Sequence, residues 1–196
     1  MDAGLRLVTE RLVLRPWQPA EAPRVLDLYG RLEVVRWLGD GEPVVMTDED
    51  QARRTVARFA ELSEAPPVCF LAAEVAATGV IAGTVLLNSL PGEGAEVEIA
   101  WHFHPDSWGH GYATEAARAL MAYGFAGGLS EIWALTHLGH ERSIAVCRRL
   151  GLRHRGREQG WYDVPMEVFS LTTEEYDAGR VPGSRWDSDG PGTRPG

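Results

Sequence analysis

Residues Trp108-Gly109-His110-Gly111-Tyr112-Ala113-Thr114-Glu115 set two glycines one residue apart at the opening of a helix-like stretch. Glycine enters left-handed backbone conformations without steric cost, so such a turn lets consecutive N–H groups point the same way. The positive end of the following helix dipole falls on the same spot. Together these can bind a phosphate or pyrophosphate without a lysine. Many strand-to-helix turns carry G-x-G for tightness alone, so the flanks decide. Upstream, Glu96 to His104 alternates strictly, with Val97, Ile99, Trp101 and Phe103 on one face and Glu96, Glu98, Ala100, His102 and His104 on the other. Period two over this length predicts a strand. A polar face that merely meets solvent would alternate too, but two carboxylates and two imidazoles are a dense set of proton-handling groups.

The elements that must hold these residues are legible around them. After the glycines, Ala113, Ala116, Ala117, Leu120 and Gly124 recur at helical spacing, with Glu115 and Arg118 off that stripe. Leu12 to Trp17 reads as a strand, and Gln18-Pro19-Ala20-Glu21 starts a helix that runs to about Gly30. A loop around Gly39 to Pro43 leads to Thr47, read as an N-cap with Asp50 three residues on. The helix from Asp48 to about Leu62 carries Arg53, Arg54 and Arg58 on its wet side. Val68 to Val75 and Val80 to Asn88 form a hairpin about Thr78-Gly79. Ile132 to Leu138 is a further strand, then comes a helix from Glu141 to Leu150 with Gly151 as its C′ residue. Strands near Arg153 to Glu158 and Val164 to Leu171 complete the sheet. No internal repeat is present.

Pro105-Asp106-Ser107-Trp108-Gly109-His110-Gly111-Tyr112-Ala113-Thr114-Glu115-Ala116 resembles the acetyl-CoA signature of the GNAT N-acetyltransferases. The likeness is to the branch of ribosomal-protein-alanine N-acetyltransferases (RimJ/RimL-like). Thr9-Glu10-Arg11-Leu12-Val13-Leu14-Arg15-Pro16 is similar to that branch's first strand. Ser143 to Leu152 is similar to its second cofactor-side helix and the turn after it. Three motifs in order, over about residues 7 to 177, are more specific than any one of them. The resemblance implies an α/β (α+β) GNAT fold, a mixed and mostly antiparallel sheet of about seven strands with helices on both faces and splayed central strands. It implies one domain over residues 1–178. The segment 179–196, rich in Pro, Gly and Ser, reads as a disordered tail with Trp186 as its one possible anchor.

The same resemblance implies an acetyl-CoA-dependent transfer to a primary amine by direct attack. The pantetheine arm would lie between the splayed strands against the main chain of Phe103 and His104, and the N–H groups of Gly109, Gly111, Tyr112 and Ala113 would hold the pyrophosphate. Trp108, His110, His140, Ser143 and Cys147 belong to the same cofactor side. The chain departs from the wider family at Trp108, where many relatives carry Arg or Gln, at His140, a common asparagine, and at Cys147, where many carry a tyrosine acid. Without that tyrosine the proton chemistry is rebuilt from the groups present. Glu98 is the first choice of base, directly or through water, and Ser143 would serve the leaving thiolate. Either could also be an ordinary surface carboxylate or a helix-entry serine. Arg148 and Arg149 could meet the 3′-phosphate or simply complement a helix end. Glu96, His102, Tyr162 and Asp163 are assigned to the acceptor, with Trp161 shaping the site.

Composition sets the remaining bounds. A chain of 196 residues suits one domain with a substantial core. Cys69 and Cys147 sit in apolar runs, which suggests neither a disulfide framework nor a zinc site, and no metal is expected. Met1-Asp2-Ala3 lacks the basic start of a signal peptide, and no apolar run is long enough to span a bilayer, so a cytoplasmic protein is expected. The net charge of −9 disfavours nucleic acid and favours a cationic amine. A monomer or homodimer fits. Lysine is absent; all 19 basic residues are arginine. The rival from another class is a non-catalytic acyl-CoA-binding regulatory or sensor domain. A nucleotide-binding fold is disfavoured, because the glycine turn has no Gly-Lys-Ser/Thr ending and no correctly spaced acid comes after it.

Overall fold

A computed structural model of the chain describes residues 4–92 and 94–179. Eight strands form one sheet: β1 (Leu7–Val8), β2 (Leu12–Pro16), β3 (Cys69–Val75), β4 (Ile81–Ser89), β5 (Val97–Phe103), β6 (Glu131–His137), β7 (Arg153–Glu158) and β8 (Met166–Thr172). Their order is β1-β2-β3-β4-β5-β6-β8-β7, and every neighbouring pair is antiparallel except β5–β6. The count exceeds the expected seven by β1, whose two residues pair with Val13 and Leu14. Among the described residues, six α-helices accompany the sheet: α1 (Ala22–Tyr29), α2 (Leu32–Val35), α3 (Glu49–Leu62), α4 (Tyr112–Ala126), α5 (Glu141–Arg149) and α6 (Thr173–Gly179). The segment read as a tail, Trp186 included, lies outside the described residues, except for Gly179, which ends α6.

Helices cover both faces. One cluster packs Ala116, Ala117, Leu120 and Met121 of α4 and Ile144 and Cys147 of α5 against Leu71, Leu87, Ile99, Ile132 and Phe169 of the sheet. The other packs Val25, Leu28 and Tyr29 of α1, Val34 and Val35 of α2, and Ala52 and Val56 of α3 against Trp17, Ala72 and Ile81. Double cover explains why β3 and β4 read as unbroken apolar runs. It also bears on the polar face of β5. Val97, Ile99 and Phe103 pack in the α4 cluster, while on the other face Tyr162 covers the buried Glu98 and Tyr29 of α1 meets the half-buried His102. α3 is capped by Asp48, whose side chain accepts from Gln51 N at 2.8 Å, and not by Thr47. Thr47 N–H donates back to Gln51 Oε1, so the box is shifted by one residue.

Two junctions shape the middle of the sheet. β4 and β5 approach so closely at Gly83 that a Cβ there would collide with the carbonyl oxygen of His102 and lie 2.7 Å from Phe103 Cα. β5 and β6 share a single register pair, Glu98 with Trp133, and then part. A gap therefore opens in mid-sheet toward the start of α4.

Candidate active site

The start of α4 is built for an anion. Gly109 and Gly111 hold φ of +81° and +78°, and Gly111 is the N-cap of α4. Among the described residues, no main-chain N–H from Gly109 to Thr114 donates to a protein acceptor. Six adjacent unpaired donors at the positive end of a 15-residue helix are a strong anion cradle. Their frame is rigid. Trp108 Nε1 donates to Phe103 O at 2.7 Å, and the Arg142 guanidinium lies over the indole at 4.3 Å. From the other side Arg11 donates to His110 O at 2.9 Å and pairs with Glu115 in the first turn of α4. Burial opposes the charge of Glu115, but hydrogen bonds from Thr9, from Arg11 N and from the Arg11 guanidinium outweigh it and lower the carboxyl's pKa.

This cradle opens onto a cleft that continues through the β5–β6 gap. Tyr112, Arg142 and Ser143 line its α4–α5 end; Ala100, His102, Val34 and Trp37 line it on the side of α2. Strand residues turn their main chain to alternate sides, and His104 N–H bonds Ala82 O on β4 at 2.9 Å. The main chains of Trp101 and Phe103 therefore face the gap. The expected contact at Phe103 and His104 is corrected by one step. His104 is committed to β4, the Phe103 carbonyl is taken by Trp108, and there remain Trp101 C=O and Phe103 N–H.

The acidic and imidazole groups of β5 differ in environment. Glu98 is 8 % exposed and sits behind the cleft wall, in register with Trp133 and capped by Tyr162, whose hydroxyl donates to Oε1 at 3.1 Å. Burial pushes its carboxyl up to about 7, and the Tyr162 hydrogen bond only partly opposes this. Burial also raises the Tyr162 phenol, helped by the Glu98 charge. His102 Nδ1 lies 3.0 Å from Tyr29 Oη, and burial lowers the ring to about 4. His104 is buried, caps the turn at Pro105 by accepting from Asp106 N, and leans on Asp27 of α1. Its side chain supports structure and does not reach the cleft.

On α5, Ser143 lines the cleft. His140 precedes the helix, stacks on Trp37 with ring centroids 4.2 Å apart, and is lowered to about 4 by burial first and by His137, Arg142 and Arg36 next. Cys147 is fully buried in the core, its thiol pushed up to about 12 by burial. It is a packing residue, so its assignment to the cofactor is withdrawn. Glu96 lies half-buried at the start of β5, and the exposed Asp163 binds the Asp40 carboxylate through its main-chain N–H at 3.0 Å. Neither carboxylate lines the cleft.

Residues 11–153 match the acetyltransferase (GNAT) domain family. The chain is a GNAT acetyltransferase. It is 27 % identical over 151 residues to the uncharacterized N-acetyltransferase YoaA of Bacillus subtilis (strain 168), covering 76 % of this chain and 84 % of that one. Its fold superposes on the microcin C7 self-immunity acetyltransferase MccE, solved with acetyl-CoA and AMP, at a TM-score of 0.72 and 16 % identity, over 88 % of this chain and 97 % of that one. It also superposes on the ribosomal-protein-S5-alanine acetyltransferase of Vibrio fischeri at a TM-score of 0.71 and 15 % identity, over 88 % and 98 %.

Within this acetyltransferase, His102 lines one side of the gap and Ser143, Tyr112 and the glycine turn line the other, while Glu98 and Tyr162 pair behind the wall. Four neighbours had no signal in the sequence as site residues. Tyr29 holds His102, Trp37 stacks on His140, Trp133 lies opposite Glu98 with Trp161 5.4 Å away, and Arg11 braces the glycine turn. Arg11 stood inside a quoted motif, but only the fold reveals its partner, 104 residues away.

Proposed function

We propose that this acetyltransferase takes its acetyl group from acetyl-CoA and passes it to the primary amine of a peptide, protein or small molecule by direct attack in a ternary complex. The observation that carries the reading is the run of unpaired N–H groups from Gly109 to Thr114 at the mouth of the β5–β6 gap. A pyrophosphate fits the cradle, and an extended amide-bearing arm fits a gap walled by strand main chain. The acetyl-CoA bound to MccE supports the same reading. The RimJ/RimL-like motifs and the Vibrio fischeri neighbour favour an α-amine as acceptor.

The chemistry needs a neutral amine, a stabilised oxyanion and a protonated leaving thiol. An α-amine titrates near 7.7–8.0, roughly two to three units below a lysine, so a base near neutrality suffices. Glu98, raised to about 7, is such a base. Glu98 is buried and does not line the cleft, whereas Ala100 beside it does, so the proton would reach it through a bridging water. The amine nitrogen attacks the thioester carbonyl, its proton passes to Glu98, and the C–S bond breaks as the carbonyl re-forms. The Ser143 hydroxyl hydrogen-bonds the departing thiolate, which takes its proton from solvent, while Glu98 releases the amine proton to solvent.

The testing experiment tracks CoA thiol release from acetyl-CoA across a panel of α-amines, ε-amines and polyamines, with mass spectrometry of each product. Thiol release matched mole for mole by an acetylated amine is expected. Tight acetyl-CoA binding with no product from any amine would favour the acyl-CoA-binding sensor instead.

A further inference from the structure

We propose that the Thr136 hydroxyl is a catalytic hydrogen-bond donor to the sulfur that leaves the thioester, acting beside Ser143. The proposal rests on the transferase reading and adds a residue to its chemistry. Thr136 lies on β6, is 3 % exposed and borders the cleft, yet its Oγ1 has no hydrogen-bond partner among the described residues. A buried hydroxyl gains nothing from water, so leaving it unpaired destabilises the resting protein. Its neighbours do not relieve it. Glu167 stands directly opposite on β8, but its two carboxylate oxygens are held by His154 at 2.6 Å and Arg157 at 2.8 Å. On the same face of β6, Ile132 and Ala134 pack in one cluster with Ile144 and Cys147 of α5. Thr136 therefore faces the helix that carries Ser143.

Register fixes its height in the gap. β5 and β6 run parallel from the Glu98–Trp133 pair, so three residues on, Trp101 and Thr136 stand across the gap from one another. An acyl-CoA arm that enters at the glycine turn passes Phe103 first and brings its thioester to Trp101. Thr136 then meets the reacting end of the arm and not its middle. What a hydroxyl offers there changes during the reaction. A thioester sulfur is a weak hydrogen-bond acceptor, whereas a thiolate is charged and accepts strongly. The donor is idle in the resting site and satisfied only as the C–S bond breaks, so it stabilises the transition state more than the bound substrate. α5 has no side-chain cap, and its positive pole stays open beside Ser143. The electron pair of the C–S bond goes to sulfur, Thr136 and Ser143 hold the thiolate, and its proton comes from solvent. Cys147, one turn past Ser143, is packed in the core and supplies none.

Two measurements test this. The first follows the thiol of bound CoA by its ultraviolet absorbance as pH is raised, with the desulfo-CoA complex as the blank. In the wild type its pKa is expected at least about one unit below that of free CoA. Thr136→Val should bring it back toward the free value, and Thr136→Ser, which keeps the hydroxyl, should not. The second sets turnover beside melting temperature. Thr136→Val is expected to lower kcat about tenfold with the KM for acetyl-CoA nearly unchanged. The same variant without ligand should melt at or above the wild type, because a methyl group replaces an unpaired hydroxyl. A thiol pKa that Thr136→Val does not move overturns the proposal. So does an equal loss of affinity for CoA and desulfo-CoA, which would put the hydroxyl on an amide of the arm. A Thr136→Val protein that melts well below the wild type overturns it too, since the hydroxyl would then serve the fold. Each of these leaves the transferase reading intact, whereas a wild type that binds no CoA removes the reading beneath it.

Discussion

Glu98 owes its chemistry to where it is buried, and the same burial sets two observable signs. Held near 7 against an ordinary 4.5, it is half-ionised around neutrality. Turnover with an α-amine should rise through about pH 7 as the carboxylate forms, and Glu98→Gln should lower kcat at least about tenfold while acetyl-CoA affinity stays nearly intact. Stability should move the other way. The folded state holds the Glu98 proton more tightly than the unfolded chain, so its contribution is full below about 4.5 and is lost as pH rises through about 7. Glu98→Gln should therefore be more stable than the wild type at pH 8, by roughly 3 kcal/mol, with the difference vanishing near pH 4. A scan of melting temperature against pH for both proteins checks it. Equal melting at pH 8 would mean that the buried carboxylate is better solvated than its surroundings imply.

At the scale of elements, the turn between β1 and β2 acts as a brace for the start of α4. Thr9, Arg11 N and the Arg11 guanidinium converge on Glu115, and Arg11 also holds His110 O. Arg11→Met should raise the dissociation constant of acetyl-CoA several-fold with little change in kcat at saturation, as measured by calorimetry and initial rates. Gly111→Ala meets the same turn differently. At φ +78° any side chain is strained, by roughly 1–2 kcal/mol. The thermal stabilisation by acetyl-CoA should shrink in this variant; an undiminished shift would mean that the glycine turn does not hold the cofactor. These elements were legible because each announces itself locally: the glycines before α4, the alternation of β5, Gly151 after α5. The shifted cap was not, because Thr47 and Asp48 both qualify as N-caps and only the helix axis chooses between them. α2 was not either, since four residues carry no period, and with it went Trp37, whose partner His140 lies across the cleft.

For the whole molecule, alternation on β5 left a solvent face and a proton-handling face both open, because it reports two environments without naming them. Here one face packs into the core under α4 and α5, and the other buries Glu98 while Ala100 and His102 line the cleft. Charge shows the same gap between total and place. The net charge is −9, yet Arg118, Arg142, Arg148 and Arg149 line the cofactor end of the cleft. The KM for acetyl-CoA should therefore rise with ionic strength despite an acidic surface. Steady-state rates between about 20 mM and about 500 mM salt, as the Debye length falls from about 20 Å to about 4 Å, would show it. A salt-independent KM would mean that these arginines serve only the ends of α4 and α5.

The single register pair between β5 and β6 makes the sheet a sewn article with one stitch at its middle. β1 to β5 form one panel and β6, β8 and β7 the other, joined at Glu98 and Trp133 and by the helices that lap the seam. Any extended ligand lying in the gap would add the missing thread. Amide exchange should then slow on Trp101, Phe103 and the facing half of β6 when acetyl-CoA binds, and the two panels, free to open separately without it, should unfold as one.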